Sequence, residues 1–110
     1  MARYVNEFQT GKNDQLIMQI AQYFLGKEGF SPYAYKEEYV YKKGIGALTA
    51  PQFIKITAAN GTVHIEAFMK FAWLPGVYSG EMGLTGFFGA LPKKLLKESV
   101  KRLELLLQQG

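Results

Sequence analysis

The sequence predicts a two-layer α+β domain in which a curved, antiparallel five-stranded sheet carries two helices on one face, in the order β-α-β-β-β-β-α. Three observations lead to this fold class. Segments with the alternation typical of strands lie on both sides of a first helical pattern. Asn60-Gly61 separates two of these segments and favours a tight hairpin. A leucine-rich helical pattern follows near the end of the 110 residues, so we expect residues 1–110 to form one domain.

The first elements are a strand and a helix. Residues 2–9 mix β-branched and aromatic residues with polar ones, which predicts an edge strand with Tyr4 and Phe8 on one side. Asn13 can cap the free amides of a first helical turn. We expect the helix to run to about Leu25. Its apolar stripe consists of Leu16, Ile17, Ile20, Ala21 and Phe24. Gly26 and Gly29 are expected to end the helix.

A tyrosine-rich hairpin is expected next. Residues 30–43 hold four tyrosines, and the charged run from Lys36 to Glu38 interrupts them. This pattern predicts strands near residues 31–36 and 38–43. The glycine-containing loop over residues 43–51 is interpreted as a turn or bulge rather than a phosphate cradle, because it lacks Walker spacing and no helix follows it.

The second hairpin joins residues 52–58 to residues 62–73 through Asn60-Gly61. Alternation in its longer strand separates an apolar face from a mixed polar face. The mixed face carries the first group of candidate contact residues: His64, Glu66, Phe68 and Lys70. His64 is the only histidine, and the sequence has no metal-ligand or catalytic-triad pattern that includes it. We therefore interpret His64 as a structural or surface residue whose ring Glu66 could orient.

The segment Phe71–Pro92 carries a single charge, Glu81, and four of its glycines repeat every third residue. Pro75, Glu81 and the glycines disfavour a membrane-spanning helix. We interpret the segment as a rigid corner between the last strand and the last helix. Glu81 either binds backbone amides of this corner or contacts a ligand. The segment's candidate apolar surface, for a second subunit or a lipid, comprises Tyr78, Met82, Phe87 and Phe88.

The last helix is expected to have Pro92 in its first turn and to run to about Gln108. Its core stripe consists of Leu96, Val100, Leu103 and Leu107. Three further leucines lie outside this stripe and indicate a second contact surface: Leu95, Leu105 and Leu106.

Composition excludes several classes of protein. The chain has no cysteine, so it has no disulfide framework and no thiol nucleophile. The absence of cysteine fits a cytoplasmic protein, and the N-terminus lacks the apolar core of a signal peptide. The net charge of +4 favours anionic partners without identifying one. No nucleophile, cofactor or metal motif is present, so we expect no cofactor and no catalytic residues.

At the level of residues, the chain resembles a family of small bacterial proteins of unknown function that share the motif Leu-Pro-Gly-Val-Tyr-x-Gly-Glu. The matching residues are Tyr33, Tyr35, Glu38, Val40 to Gly44, Thr49, Pro51, Phe53 and Leu74 to Glu81. Glu37 departs from the family, which has glycine in that hairpin turn. The order of elements also resembles the TATA-binding-protein-like fold, in which two helices lie on the convex side of a curved sheet. These resemblances imply a fold and no activity.

The sequence therefore favours a non-catalytic binding or interaction module, with a second copy or another protein as partner. One alternative is weak nucleic-acid binding through the open sheet face, where Lys55, Lys70, His64 and Phe68 combine cations with an aromatic ring. The other is small-molecule or lipid binding near the glycine-rich segment.

Overall fold

The computed structural model describes residues 3–44, 51–74, 77–82 and 90–109. Along these residues the elements follow in the order β1 (Tyr4–Gln9), α1 (Asp14–Lys27), β2 (Ser31–Tyr35), β3 (Glu38–Lys43), β4 (Gln52–Ala59), β5 (Thr62–Leu74), β6 (Val77–Met82) and α2 (Ala90–Gln108). The strands form one antiparallel sheet in the order β1-β5-β4-β3-β2, and β6 pairs with β5. The predicted α+β class is confirmed, as are the five predicted strands and the two helices in their predicted order, with a sixth strand added before α2.

Strand β6 is not predicted by the sequence pattern, and it corrects the interpretation of Phe71–Pro92 as a corner throughout. The fifth strand continues to Leu74, and the chain then returns antiparallel along it, so that Met82 pairs with Met69. Met69 pairs on its other side with Gln52 of β4. β6 therefore lies on the same edge of β5 as β1. A glycine within β6 interrupts the apolar alternation that would have revealed a strand.

The two predicted hairpins are present, and their turns share positive φ angles but differ in the residues that adopt them. Asn60 and Gly61 have φ angles of 53° and 80°, as a type I′ turn requires, so this prediction is confirmed. Lys36 and Glu37 also have positive φ angles, 48° and 69°, between β2 and β3. Side chains with a Cβ disfavour this left-handed region, so the second turn is strained.

Helix α1 begins as predicted and ends later than predicted. The side chain of Asn13 accepts a hydrogen bond of 2.8 Å from the amide of Leu16, which caps the helix. The helix continues through Gly26 to Lys27, and Gly29, with a φ angle of 94°, follows it. Leu16, expected in the apolar stripe, is 40% exposed.

Both helices pack against one face of the sheet. The predicted core stripe of α2 is confirmed, because all four of its residues are at most 1% exposed: Leu96, Val100, Leu103 and Leu107. They share one core with Ile17, Ala21 and Leu25 of α1 and with strand residues that include Ile54, Ile56, Val63, Ile65, Ala67 and Met69. Residues that alternate with these along the strands lie on the opposite face, which neither helix covers. We call it the helix-free face.

Candidate functional site

The helix-free face carries a chain of ion pairs that crosses the sheet. We call it the charged strip; its members are Arg3, Glu7, Glu38, Lys55, His64 and Glu66. Antiparallel pairing places them together, because Glu7 lies opposite His64 and Lys55 lies opposite Glu66. Directly opposite residues in a sheet share a face, so alternation along each strand brings all six side chains to the same side.

Arg3 is the centre of the charged strip. Its guanidinium donates two hydrogen bonds, of 3.0 and 2.9 Å, to the carboxylate of Glu38 and a third, of 2.9 Å, to Glu66. The side chain reaches Glu38 on β3 across β5 and β4, and its guanidinium lies 4.0 Å from the centre of the Phe68 ring. This one side chain therefore connects strands that are not neighbours in the sheet.

Glu38 is held in its charged form. Hydrogen bonds from Arg3, and then from Lys55 at 3.0 Å, lower the pKa of Glu38 to about 2. Burial acts in the opposite direction and is outweighed. Glu38 is thus an anion at all physiological pH values and is already neutralised by two cations.

His64 is held between two carboxylates. Its Nδ1 lies 2.9 Å from Glu7 Oε2, and its Nε2 lies 2.7 Å from Glu66 Oε2. The hydrogen bond with Glu66 and then that with Glu7 raise the pKa of His64, because the imidazolium can donate to both. Burial raises the pKa of Glu66, but hydrogen bonds from His64 and Arg3 outweigh it and lower that pKa. The predicted orientation of His64 by Glu66 is present, with Glu7 as a second partner.

An aromatic cluster lies beside the charged strip on the same face. Phe53 and Phe68 stack with their ring centres 4.9 Å apart, and Tyr35 lies within 5.4 Å of both. Phe68, expected to offer contact surface, is fully buried in this cluster with Val40, so that part of the expectation is wrong. Lys70, also expected here, donates a hydrogen bond of 3.2 Å to the Tyr35 hydroxyl. The cluster acts as a small second core.

The candidate residues of the glycine-rich segment are not members of the charged strip. Tyr78, Glu81 and Met82 lie in strand β6, where Glu81 pairs with Lys70 along the backbone. Glu81 therefore lies in a strand and not in the corner that was expected around it. Phe87 and Phe88 lie outside the described residues, as does most of the loop over residues 43–51.

A buried carboxylate lies between the sheet and α2, on the face opposite the charged strip. Glu104 is 8% exposed, and its Oε2 accepts hydrogen bonds of 2.6 Å from the Tyr4 hydroxyl and 2.8 Å from the Asn6 side-chain amide. Burial, together with the hydrogen bond to Glu104 and its charge, raises the pKa of Tyr4 to about 12. These contacts fasten β1 to α2.

Three members of the charged strip are absent from the sequence-based candidates: Arg3, Glu7 and Glu38. Alternation in the first strand places Arg3 and Glu7 on the side opposite Tyr4 and Phe8, and this signal could have identified them. Their partners are 17 to 63 residues away in sequence, so no local pattern joins them.

No protein-family model matches the chain, and no curated protein and no solved structure matches it either. In the part of the chain that the structure describes, no three His, Asp or Glu side chains are grouped to hold a metal ion. Neither described helix is long and apolar enough to span a membrane. The function must therefore be inferred from the geometry of the surfaces.

Proposed function

We propose that the chain is a non-catalytic interaction module that self-associates through the free edge of strand β1. The observation that carries the proposal is the state of this edge. Among the described strands, β1 pairs only with β5, so one row of its backbone donors and acceptors has no strand partner. A row of this kind is a template for a second strand, and a second copy supplies an identical one.

The two edges of the sheet differ in their protection. Strand β2, at the other edge, is five residues long, contains Pro32 and is followed by Lys36. Proline and lysine are residues that prevent strands from adding to an edge. Strand β1 has neither, and its one charged residue, Glu7, is bound to His64. Of these two edge strands, β1 is therefore the unprotected one.

The side chains of β1 suit an antiparallel pairing with itself. Val5 is 56% exposed on the helix-free face. A two-fold axis at Val5 sets the two valines opposite each other, and an apolar pair of this kind stabilises a cross-strand contact. The same register sets Arg3 of each copy opposite Glu7 of the other, so no like charges meet while both residues keep their partners within each copy.

A non-catalytic role is supported by the state of the titratable groups. A general base needs a free lone pair within reach of a substrate. Both ring nitrogens of His64 are engaged by carboxylates, and Glu38 and Glu66 are each bound by Arg3. The charges of these groups are compensated within the strip, which favours a structural role over proton transfer.

Sedimentation velocity over a range of concentrations tests self-association. We expect a dimer that dissociates on dilution, and we expect Val5→Lys to shift it to monomer because two lysines would then face each other across the axis. Ala34→Lys is the matched control, since Ala34 is an exposed residue of the opposite edge strand. A monomer at all concentrations, or equal effects of the two variants, would contradict pairing through β1.

Weak nucleic-acid binding is a second candidate, favoured by one observation on the helix-free face. Near β2, the ammonium of Lys42 lies 4.5 Å from the centre of the Tyr33 ring, which is 42% exposed, and Lys36 and Lys70 flank Tyr35. Cations beside an exposed ring suit single-stranded nucleic acid. The three carboxylates of the charged strip oppose it. Fluorescence anisotropy with an oligonucleotide at low salt should then show binding that Lys42→Glu abolishes, and no binding would exclude this candidate.

A further inference from the structure

The outer surface of the two helices gathers most of the exposed apolar side chains of the described residues. Five of the eight large hydrophobic residues that are exposed there lie on α1 or α2: Leu16, Tyr23, Leu95, Leu105 and Leu106. Leu105 is 63% exposed and Leu95 is 49% exposed. Single exposed leucines are ordinary, but several on one side of a domain indicate a contact surface.

The same surface is basic. Lys94, Lys97 and Lys101 are exposed on α2 and line a shallow groove of about 460 Å³ with Glu98 and Arg102. No ion pair joins these three lysines to a carboxylate among the described residues, whereas Arg102 is paired with Glu28 at the end of α1. We call the five apolar residues and the three lysines together the helix surface.

The combination of leucines and unpaired lysines discriminates between occupants. A second copy on this surface would bring lysines against lysines, which is unfavourable. Nucleic acid would neutralise the lysines but offers no apolar phase to the leucines. An anionic lipid bilayer offers both, because lysine stems lie along apolar surface while their ammonium groups reach the headgroups.

We propose that the helix surface docks on the surface of a bilayer that contains anionic lipids. The leucines enter the boundary between headgroups and acyl chains, and the lysines bind the headgroups. This docking depends on the charge and exposure of these residues and does not require the proposed dimer. If the dimer forms, its two-fold axis lies perpendicular to the joined sheet, so both helix surfaces face the same bilayer and bind with avidity.

Co-sedimentation with vesicles of phosphatidylcholine, with and without phosphatidylglycerol, tests the inference. We expect binding to the anionic vesicles only, with affinity that falls as salt is raised. Each lysine near an anionic surface strengthens binding about fivefold, so replacing all three with glutamine should weaken it roughly a hundredfold. Leu105→Gln should also weaken it severalfold, because the leucine no longer enters the boundary.

The matched control removes the same charge from the helix-free face with Lys36→Gln, Lys42→Gln and Lys70→Gln together. The affinity of this variant for anionic vesicles should lie within about twofold of that of the unmodified chain. The small loss comes from its lower net charge. Docking of the helix surface is overturned if no vesicle binds, if both lipid compositions bind equally, or if the two triple variants lose affinity equally. It is also overturned if Leu105→Gln binds as tightly as the unmodified chain, since attraction would then involve charge alone.

Discussion

Replacing Arg3 with methionine is expected to lower the free energy of unfolding by about 2 kcal/mol. Hydrogen bonds to a charged partner contribute about 1.5–3 kcal/mol, and a cation over a ring adds about 0.5–1 kcal/mol. The Arg3, Glu38 and Glu66 side chains keep 17%, 26% and 20% of their exposure, so solvent screening removes part of this sum. Methionine retains the apolar stem over Phe68 and removes the charge. Urea denaturation at neutral pH measures the difference.

The Arg3 effect also has a predicted pH dependence. The pKa of Glu38 is lowered to about 2 in the folded chain, so its ion pair stabilises the fold above the ordinary carboxyl pKa of 4.5. That stabilisation is lost as the pH falls through the folded value. The difference between the unmodified chain and Arg3→Met should therefore shrink between about pH 4.5 and pH 2.

Arg102→Met is the matched control for Arg3→Met. Arg102 is 52% exposed and, among the carboxylates that the structure describes, pairs with Glu28 alone, so its loss should change the free energy of unfolding by less than about 0.5 kcal/mol. If Arg3→Met and Arg102→Met have the same small effect, then Arg3 does not hold the strands together. A drop for Arg3→Met that stays constant down to pH 2 would contradict the role of Glu38.

Two further outcomes are expected. Because the folded pKa of His64 is raised, its contribution to stability is full below its ordinary pKa of 6.5 and is lost as the pH rises through the folded value. His64→Gln should therefore destabilise the chain more at pH 6 than at pH 9. Equal destabilisation at the two pH values would refute this role of His64. In the two turns, substitutions should act in opposite directions. Glu37→Gly should stabilise the chain by about 0.5–1 kcal/mol by relieving a positive φ angle. Gly61→Ala should destabilise the chain by about 1–2 kcal/mol, because a Cβ there would lie 3.0 Å from the Thr10 carbonyl oxygen. Thermal denaturation measures both changes in stability. If Glu37→Gly and Gly61→Ala change the stability in the same direction, the turn geometry is contradicted.

The parts of the fold that were predictable are those that depend on neighbouring residues. The core stripe of α2 follows from helical spacing alone, and the Asn60-Gly61 hairpin follows from the backbone preference of two residues. Strand β6 was missed because it contains a glycine and its sequence has no clear alternation of apolar and polar residues. The strain at Lys36-Glu37 was also hidden, since neither residue normally favours a positive φ angle.

The candidate site was predictable only in part. Alternation in β5 placed His64, Glu66, Phe68 and Lys70 on one face, and the structure has them there. The burial of Phe68 could not be foreseen, because it requires Phe53 and Tyr35 from other strands and the guanidinium of Arg3. The contact between Arg3 and Glu38 depends on the strand order, in which β5 and β4 lie between β1 and β3. No local motif in the sequence contains this information.

Amide hydrogen exchange at two protein concentrations tests self-association through β1 most directly, because it reads the edge hydrogen bonds themselves. We predict that amides of Tyr4–Gln9 exchange more slowly at high concentration and that those of Ser31–Tyr35 are unaffected. Val5→Lys should remove the concentration dependence. Exchange in β1 that is independent of concentration, or protection that appears in β2 instead, would contradict the proposed edge.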